Sequence, residues 1–289
     1  MSCHCHGSRL PTSYRIAAVK QETAMVTTIT FPVSLGAKPG QFVMVWLPGG
    51  EEIPMSVALD DGKSLRITFF AVGDTTKVMA QLKKGDLLGL RGPFGTSYAW
   101  EKGQHLMLVA GGYGAAPMYF AAAEASKDGC TLDVIIGARG KEHLLYVEEC
   151  RKLPRTTVHI ATDDGSEGQK GYNVEVLKAL VEGGAKPDGV FACGPERMLK
   201  AVSDYTAERK IPCQLSLERY MKCGYGLCGN CTVEPLAIRL CVEGPVVPNE
   251  TARAITEFGV YHRDGLGKKH SFPSPLSPPP AGEGHNASV

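Results

Sequence analysis

Short apolar runs separated by turn residues dominate the first hundred positions. The runs Tyr14–Val19, Met25–Phe31, Gln41–Leu47, Met55–Leu59, Leu65–Ala71 and Leu87–Arg91 each have strand length and β-type composition. Lys38-Pro39-Gly40, Pro48-Gly49-Gly50 and Asp60-Asp61-Gly62 break them apart. Many short strands at close spacing predict a small antiparallel barrel or sandwich, with one short helix over Thr76–Leu82.

From Leu106 the pattern changes. Continuous apolar strands (Leu106–Ala110, Thr131–Gly137, Thr157–Thr162, Gly189–Cys193) alternate with helix-prone segments. These are Met118–Ser126, Glu142–Lys152, Val174–Glu182 and Glu196–Arg209. Such alternation predicts a parallel sheet covered on both faces. The expected organisation is therefore multi-domain, β followed by α/β. An antiparallel barrel spans 13–98, a parallel-sheet domain 99–211 and a small cysteine-rich domain 212–263. Residues 1–12 (MSCHCHGSRLPT) read as a disordered leader in which Cys3, His4, Cys5 and His6 lack a fixed geometry. Residues 264–289 end in SFPSPLSPPPAGEGHNASV, whose proline density favours extended, solvated chain.

Composition narrows the function. The 289 residues are 43% hydrophobic and 21% charged, with a formal net charge of +1, which provides no field to gather nucleic acid or anionic membrane. The most apolar stretch, Leu106 to Ala123, is interrupted by Gly111, Gly112, Gly114 and Pro117, unlike a membrane span. The N-terminus lacks the layout of a secretory signal. Four of the ten cysteines fall within nineteen residues, which points to metal or redox chemistry in a reducing cytoplasm.

Those four are Cys223, Cys228, Cys231 and Cys241, spaced C-x4-C-x2-C-x9-C. A C-x4-C-x2-C run with a distant fourth cysteine suits a 2Fe–2S cluster. The intervening glycines let the loop wrap the inorganic core and free backbone N–H groups for sulfur. Structural zinc is the competing reading, but zinc sites usually join two close C-x2-C pairs. Cys130, Cys150 and Cys213 read as small buried hydrophobes.

A one-electron carrier calls for a neighbour able to split an electron pair, as a flavin does. Pro54-Met55-Ser56 ends one strand segment, and Val72-Gly73-Asp74-Thr75-Thr76 opens a helix whose free N–H groups could hold a diphosphate. An ordinary turn and a plain helix cap remain alternatives for these two. Gly111-Gly112-Tyr113-Gly114-Ala115-Ala116-Pro117 follows a strand directly, at the edge where open α/β sheets place ligands, although it is not G-x-G-x-x-G. Cys193-Gly194-Pro195 ends another strand on that edge, with a structural turn as its alternative.

In order, these segments resemble the ferredoxin–NADP reductase superfamily over about residues 14–263. More narrowly, they resemble the electron transfer subunits of NAD-dependent dihydroorotate dehydrogenases. Ser216 to Cys231, Cys241-Val242-Glu243-Gly244-Pro245-Val246-Val247, and Gly85-Asp86 through Arg91-Gly92-Pro93-Phe94-Gly95 carry the likeness, with Asp163-Asp164-Gly165-Ser166 in the nucleotide domain.

The resemblance implies FAD at Pro54, Met55, Ser56, Gly73, Thr75 and Thr76. It implies NAD at Gly111, Gly112, Gly114 and Pro117 with Cys193 near the nicotinamide, and the cluster on Cys223, Cys228, Cys231 and Cys241. It also implies an FMN-containing dihydroorotate dehydrogenase partner in a heterotetramer with two of each subunit, acting in pyrimidine biosynthesis. Electrons would run from dihydroorotate through FMN, cluster and FAD to NAD. No residue constellation offers a base for dihydroorotate, so no catalytic residue is assigned. Reductase subunits of hydrogenases and anaerobic sulfite reductases have similar cluster segments and form the rival reading. Many relatives carry Arg where this chain has Ile53, preceded by Glu51 and Glu52, and Thr75 replaces a common Gly.

Overall fold

In the computed structural model, which describes residues 10–272, the predicted β-runs form strands with small shifts at their ends. They are β1 (Thr12–Arg15), β2 (Ala18–Gln21), β3 (Val26–Phe31), β4 (Phe42–Trp46), β5 (Glu52–Asp60) and β6 (Leu65–Phe70). Helix α1 (Asp74–Met79) leads to β7 (Leu87–Phe94). All pair antiparallel in the order β1-β7-β4-β5-β6-β3-β2. Alternate residues, among them Ile29, Phe31, Val43, Val45, Val57, Ile67, Leu88 and Leu90, fill the interior. The run expected as one strand over Tyr14–Val19 is two. The Ile16 N–H donates to Asp86 O at 2.9 Å and the Ala17 N–H to Thr30 O at 2.8 Å. The chain thus switches partner from β7 to β3 and draws the sheet's edges together.

The middle of the chain supplies β8 (His105–Gly111), α2 (Ala115–Lys127), β9 (Thr131–Ala138), α3 (Val147–Arg151), β10 (Thr156–Thr162) and β11 (Gln169–Lys170). It continues with α4 (Asn173–Glu182), β12 (Gly189–Cys193), α5 (Glu196–Arg209) and β13 (Cys213–Ser216). Beyond lie β14 (Thr232–Val233), β15 (Ile238–Arg239), α6 (Leu240–Glu243), β16 (Val246–Pro248), α7 (Asn249–Ala254), β17 (Tyr261–Arg263) and β18 (Lys269–Ser271). The second sheet runs β11-β10-β9-β8-β12-β13-β16, parallel except at β16. Leu106, Leu108 and Ala110 pack with Met118 and Ala122 of α2 on one face. Met107 and Val109 pack with Leu177 and Leu199 on the other.

Three sequence expectations are corrected. The helix over Glu142–Lys152 is only a 3-10 turn at Lys141–His143 and α3. Between them Tyr146 takes φ 59°, its ring stacked 5.1 Å from Tyr119 and its hydroxyl 2.6 Å from that of Thr68. Tertiary contacts override helix propensity there.

The sheet also continues past residue 211, because β13 pairs with β12 and β16 pairs with β13. The cysteine-rich segment accordingly has no separate core. Its Leu217, Met221, Cys231, Val233, Leu240 and Cys241 join the cluster that holds Val109 and Leu199, together with Phe42 and Met44 of the barrel.

Third, the stretch assigned to the tail from 264 begins with ordered chain, since β18 pairs with β17 as a hairpin. At the other end, Thr12 of the supposed leader already pairs with Leu90. The CHCH motif and the proline-rich run lie outside the described residues.

Candidate iron–sulfur and nucleotide sites

The loop from Cys223 to Cys231 lies against the barrel. Gly224 has φ +75°, and a Cβ there would come 2.8 Å from the Met44 side chain, so a residue without a side chain lets the loop lie flat on β4. Arg239 fastens the loop's far side, donating to Gly226 O at 2.9 Å while pairing with Glu243 at 2.6 Å.

The four cysteines converge: the loop that carries Cys223 and Cys228 reaches Cys241 through Gly226, and the residue before Cys241, Leu240, is tied to Cys231 by its N–H. Among the described residues no three of His, Cys, Asp and Glu converge as a single ion requires. Backbone donors surround the sulfurs. Gly226 N–H reaches Cys241 Sγ at 3.1 Å, and those of Leu227 and Cys228 reach Cys223 Sγ at 3.3 and 3.5 Å. Burial pushes Cys223 up, but the N–H groups of Cys228, Tyr225 and Leu227 outweigh it and bring the thiol down to about 7. The hydrogen bond from Cys241 brings Cys231 down to about 6, and the same bond holds Cys241 well above the ordinary thiol value. Four converging cysteines with backbone donors aimed at sulfur fit a two-iron cluster, in which each iron takes two protein ligands.

The nucleotide edge is built by the ends of β8 and β12, which pair with Ala110 opposite Cys193. A Cβ on Gly114 would sit 2.3 Å from the Cys193 carbonyl oxygen, and one on Gly111 2.7 Å from the Met198 sulfur. These two glycines serve the close contact of two turns. Gly112, at φ +53° with nothing within 4 Å, is the one that leaves room for a ligand. Pro117 is buried in the first turn of α2. Cys193 is 2% exposed, and burial holds its thiol neutral, far above the ordinary value.

Sequence reasoning missed the side chains that meet at this edge. Tyr113 donates to Glu218 at 2.7 Å, and Arg219 beside it pairs with Glu196 at 2.6 Å and Glu257 at 2.8 Å. The protein crowding around Glu218 raises its carboxyl, against the Tyr113 hydroxyl. Only the position of Glu218-Arg219 just after an apolar strand signalled this.

On the barrel, Pro54, Met55 and Ser56 lie in β5 opposite Met44, Val43 and Phe42 of β4. Gly73 caps α1, and the buried Thr76 hydroxyl closes that cap, accepting from Gly73 N–H and donating to Gly73 O, both at 3.0 Å. Thr75 remains half-buried and uncommitted in the first turn. Glu52, just before Ile53, pairs with Arg91 of β7 at 2.8 and 2.5 Å.

Comparison with known proteins agrees with this layout. Residues 218–252 match the family model "Iron-sulfur cluster binding domain of dihydroorotate dehydrogenase B", and residues 108–204 match "Oxidoreductase NAD-binding domain". A curated protein of Methanocaldococcus jannaschii, named "Probable dihydroorotate dehydrogenase B (NAD(+)), electron transfer subunit", is 42% identical over 259 residues, 90% of this chain and 98% of that protein. The chain belongs to this family.

A second dihydroorotate dehydrogenase B electron transfer subunit, similarly named, from Methanothermobacter thermautotrophicus, is 39% identical over 90% of this chain and 97% of its own length. Among solved structures, the NADH-dependent reduced ferredoxin–NADP oxidoreductase superposes with a TM-score of 0.75 at 30% identity, covering 82% of this chain and 88% of that one. A ferredoxin NADP+ reductase from Neisseria gonorrhoeae, solved with FAD and NADP, shares the fold alone, with a TM-score of 0.58 at 18% identity over 69% of this chain and 91% of that one. The likeness covers the barrel and sheet together and establishes the reductase fold. Among the described residues no helix is long and apolar enough to cross a membrane.

Proposed function

We propose that this electron transfer subunit passes electrons between a dihydroorotate-oxidising partner and NAD, with one 2Fe–2S cluster and one FAD. The observation that carries the reading is the convergence of Cys223, Cys228 and Cys231, on a loop packed against the barrel strand next to Pro54–Ser56, with Cys241 of α6. When bound, the cluster supplies one-electron transfer and the flavin the exchange between single electrons and a hydride. The chain's own work is to hold and orient. Cys223, Cys228, Cys231 and Cys241 ligate, and Gly226, Leu227 and Cys228 donate backbone hydrogen bonds to sulfur. Pro54, Met55, Ser56, Gly73, Thr75 and Thr76 hold FAD. Gly111, Gly112 and Gly114 shape the NAD edge beside Cys193, with Pro117 fixing the start of α2 behind it.

The partner we propose is an FMN-containing dihydroorotate dehydrogenase subunit, two copies joining two of this chain. Leu227, Tyr225 and Val242 around the cluster are 77%, 41% and 42% exposed, which supports a protein-covered face. All eight described cysteines are free, in keeping with a reducing cytoplasm.

The test is anaerobic purification with iron, sulfide and flavin quantified, visible and EPR spectra, and capture of the partner. Two irons and one FAD per chain, NADH–dye activity, no dihydroorotate oxidation alone, and an FMN dehydrogenase partner are expected. A nickel or siroheme subunit captured instead overturns the partner assignment. Iron-free, colourless protein overturns the cluster.

A further inference from the structure

Arg91 is 4% exposed, and its guanidinium is only partly used. Nε and Nη2 grip the Glu52 carboxylate, while Nη1 is buried with no hydrogen-bond partner. The guanidinium carbon lies 5.2 Å from the centres of both the Phe94 and Tyr225 rings. Tyr225 belongs to the cluster loop, two residues after Cys223. Arg91, Glu52, Lys222, Cys223, Tyr225 and Pro11 line one cleft of about 350 Å³.

A buried charged donor without an acceptor in the polypeptide is costly, and the guanidinium keeps its full charge there. Aromatic faces offset part of that cost but do not replace an acceptor. The group due at Cys223 carries sulfur acceptors and net negative charge, and hydrogen bonds to sulfur together with nearby charge set the potential of such a cluster.

We propose that Arg91 is a positioning residue for the cluster: its buried guanidinium, anchored by Glu52 and clamped to the loop through Tyr225, holds a positive charge in the cleft that Cys223 also lines and stabilises the reduced state. Glu52 acts in the opposite sense, because its carboxylate partly cancels that charge. The pair also joins the loop to β5, two residues before Pro54. This inference rests on the reading of the four thiols as cluster ligands.

The experiment is an EPR-monitored redox titration of the anaerobically purified full-length protein, comparing Arg91→Leu, Arg91→Lys and Glu52→Gln with the parent. Arg91→Leu removes the positive charge and leaves the carboxylate. At a fixed solution potential it should lower the ratio of reduced to oxidised cluster about tenfold, or about 59 mV for one electron. Glu52→Gln should raise the ratio, and Arg91→Lys should fall close to the parent. Shifts of the same sign in Arg91→Leu and Glu52→Gln, or no shift in either, overturn the proposal. Movement of the flavin potential alone also overturns it. If Arg91→Leu loses the cluster, Glu52→Gln decides by itself, an upward shift supporting the assignment and an unchanged potential ending it. Absence of the EPR signal from the parent too would instead bring down the ligand assignment.

Discussion

Cys231 and Cys241 are brought together although nine residues separate them, because the β14–β15 hairpin and the start of α6 fold the chain back on itself. The Leu240 N–H donates to Cys231 O at 3.2 Å and fixes that return. Cys223 and Cys228 meet within a single loop, where the Cys228 N–H reaches the Cys223 sulfur at 3.5 Å.

Cys228 is exposed, so Cys228→Ser removes a ligand without disturbing the core. The variant should lose the iron–sulfur absorbance and EPR signal while keeping bound FAD and NADH–dye activity. An unaltered visible spectrum would falsify the ligand set.

In cluster-free protein Cys223 titrates below the ordinary thiol value of 9.0, at about 7. Its thiolate is therefore present above about pH 7 and lost as pH falls through that value. The attendant stability is complete above pH 9 and likewise disappears through pH 7. Alkylation of Cys223 against pH, read by mass spectrometry, should show a midpoint near neutrality. A midpoint close to 9 would remove the role of the backbone donors.

Gly112 and Gly114 should respond differently. Gly112→Trp fills the open space at the end of β8 and should abolish NADH–dye activity with the cluster spectrum unchanged, at a stability cost of about 1 kcal/mol from the positive φ of 53°. Gly114→Ala drives a Cβ into the Cys193 carbonyl and should cost about 1–3 kcal/mol in chemical denaturation. Equal stability losses in the two variants would contradict the separate roles.

Arg219 holds two carboxylates at the entry to the cluster segment, with side chains 3%, 9% and 1% exposed for Arg219, Glu196 and Glu257. Arg219→Leu leaves both carboxylates buried without their partner and should destabilise the fold by about 3–5 kcal/mol. Urea unfolding measures this, and a loss below 1 kcal/mol would show that other groups compensate.

How much could be read beforehand depended on sequence distance. The barrel strands and the strand–helix alternation appeared as local periodicity, and the cluster ligands as a spacing within nineteen residues. The helix expected over 142–152 failed because Tyr146 is committed to Thr68 and Tyr119, contacts with no local trace. The boundary at 212 failed because strand pairing decided it: β13 completes a sheet whose other strands come earlier in the chain.

By itself the sequence determined the four thiols, the order of barrel, sheet and cysteine loop, and the glycine-rich turn after β8, since each is a pattern of neighbouring residues. The tertiary structure alone decided that Glu52 answers to Arg91 across 39 residues, that Tyr113 meets Glu218 across 105, and that Gly111 and Gly114 admit a neighbouring turn while Gly112 stays open. Such contacts arise where strands distant in sequence come into register, and side-chain chemistry alone does not specify which partners the packed core will bring within reach.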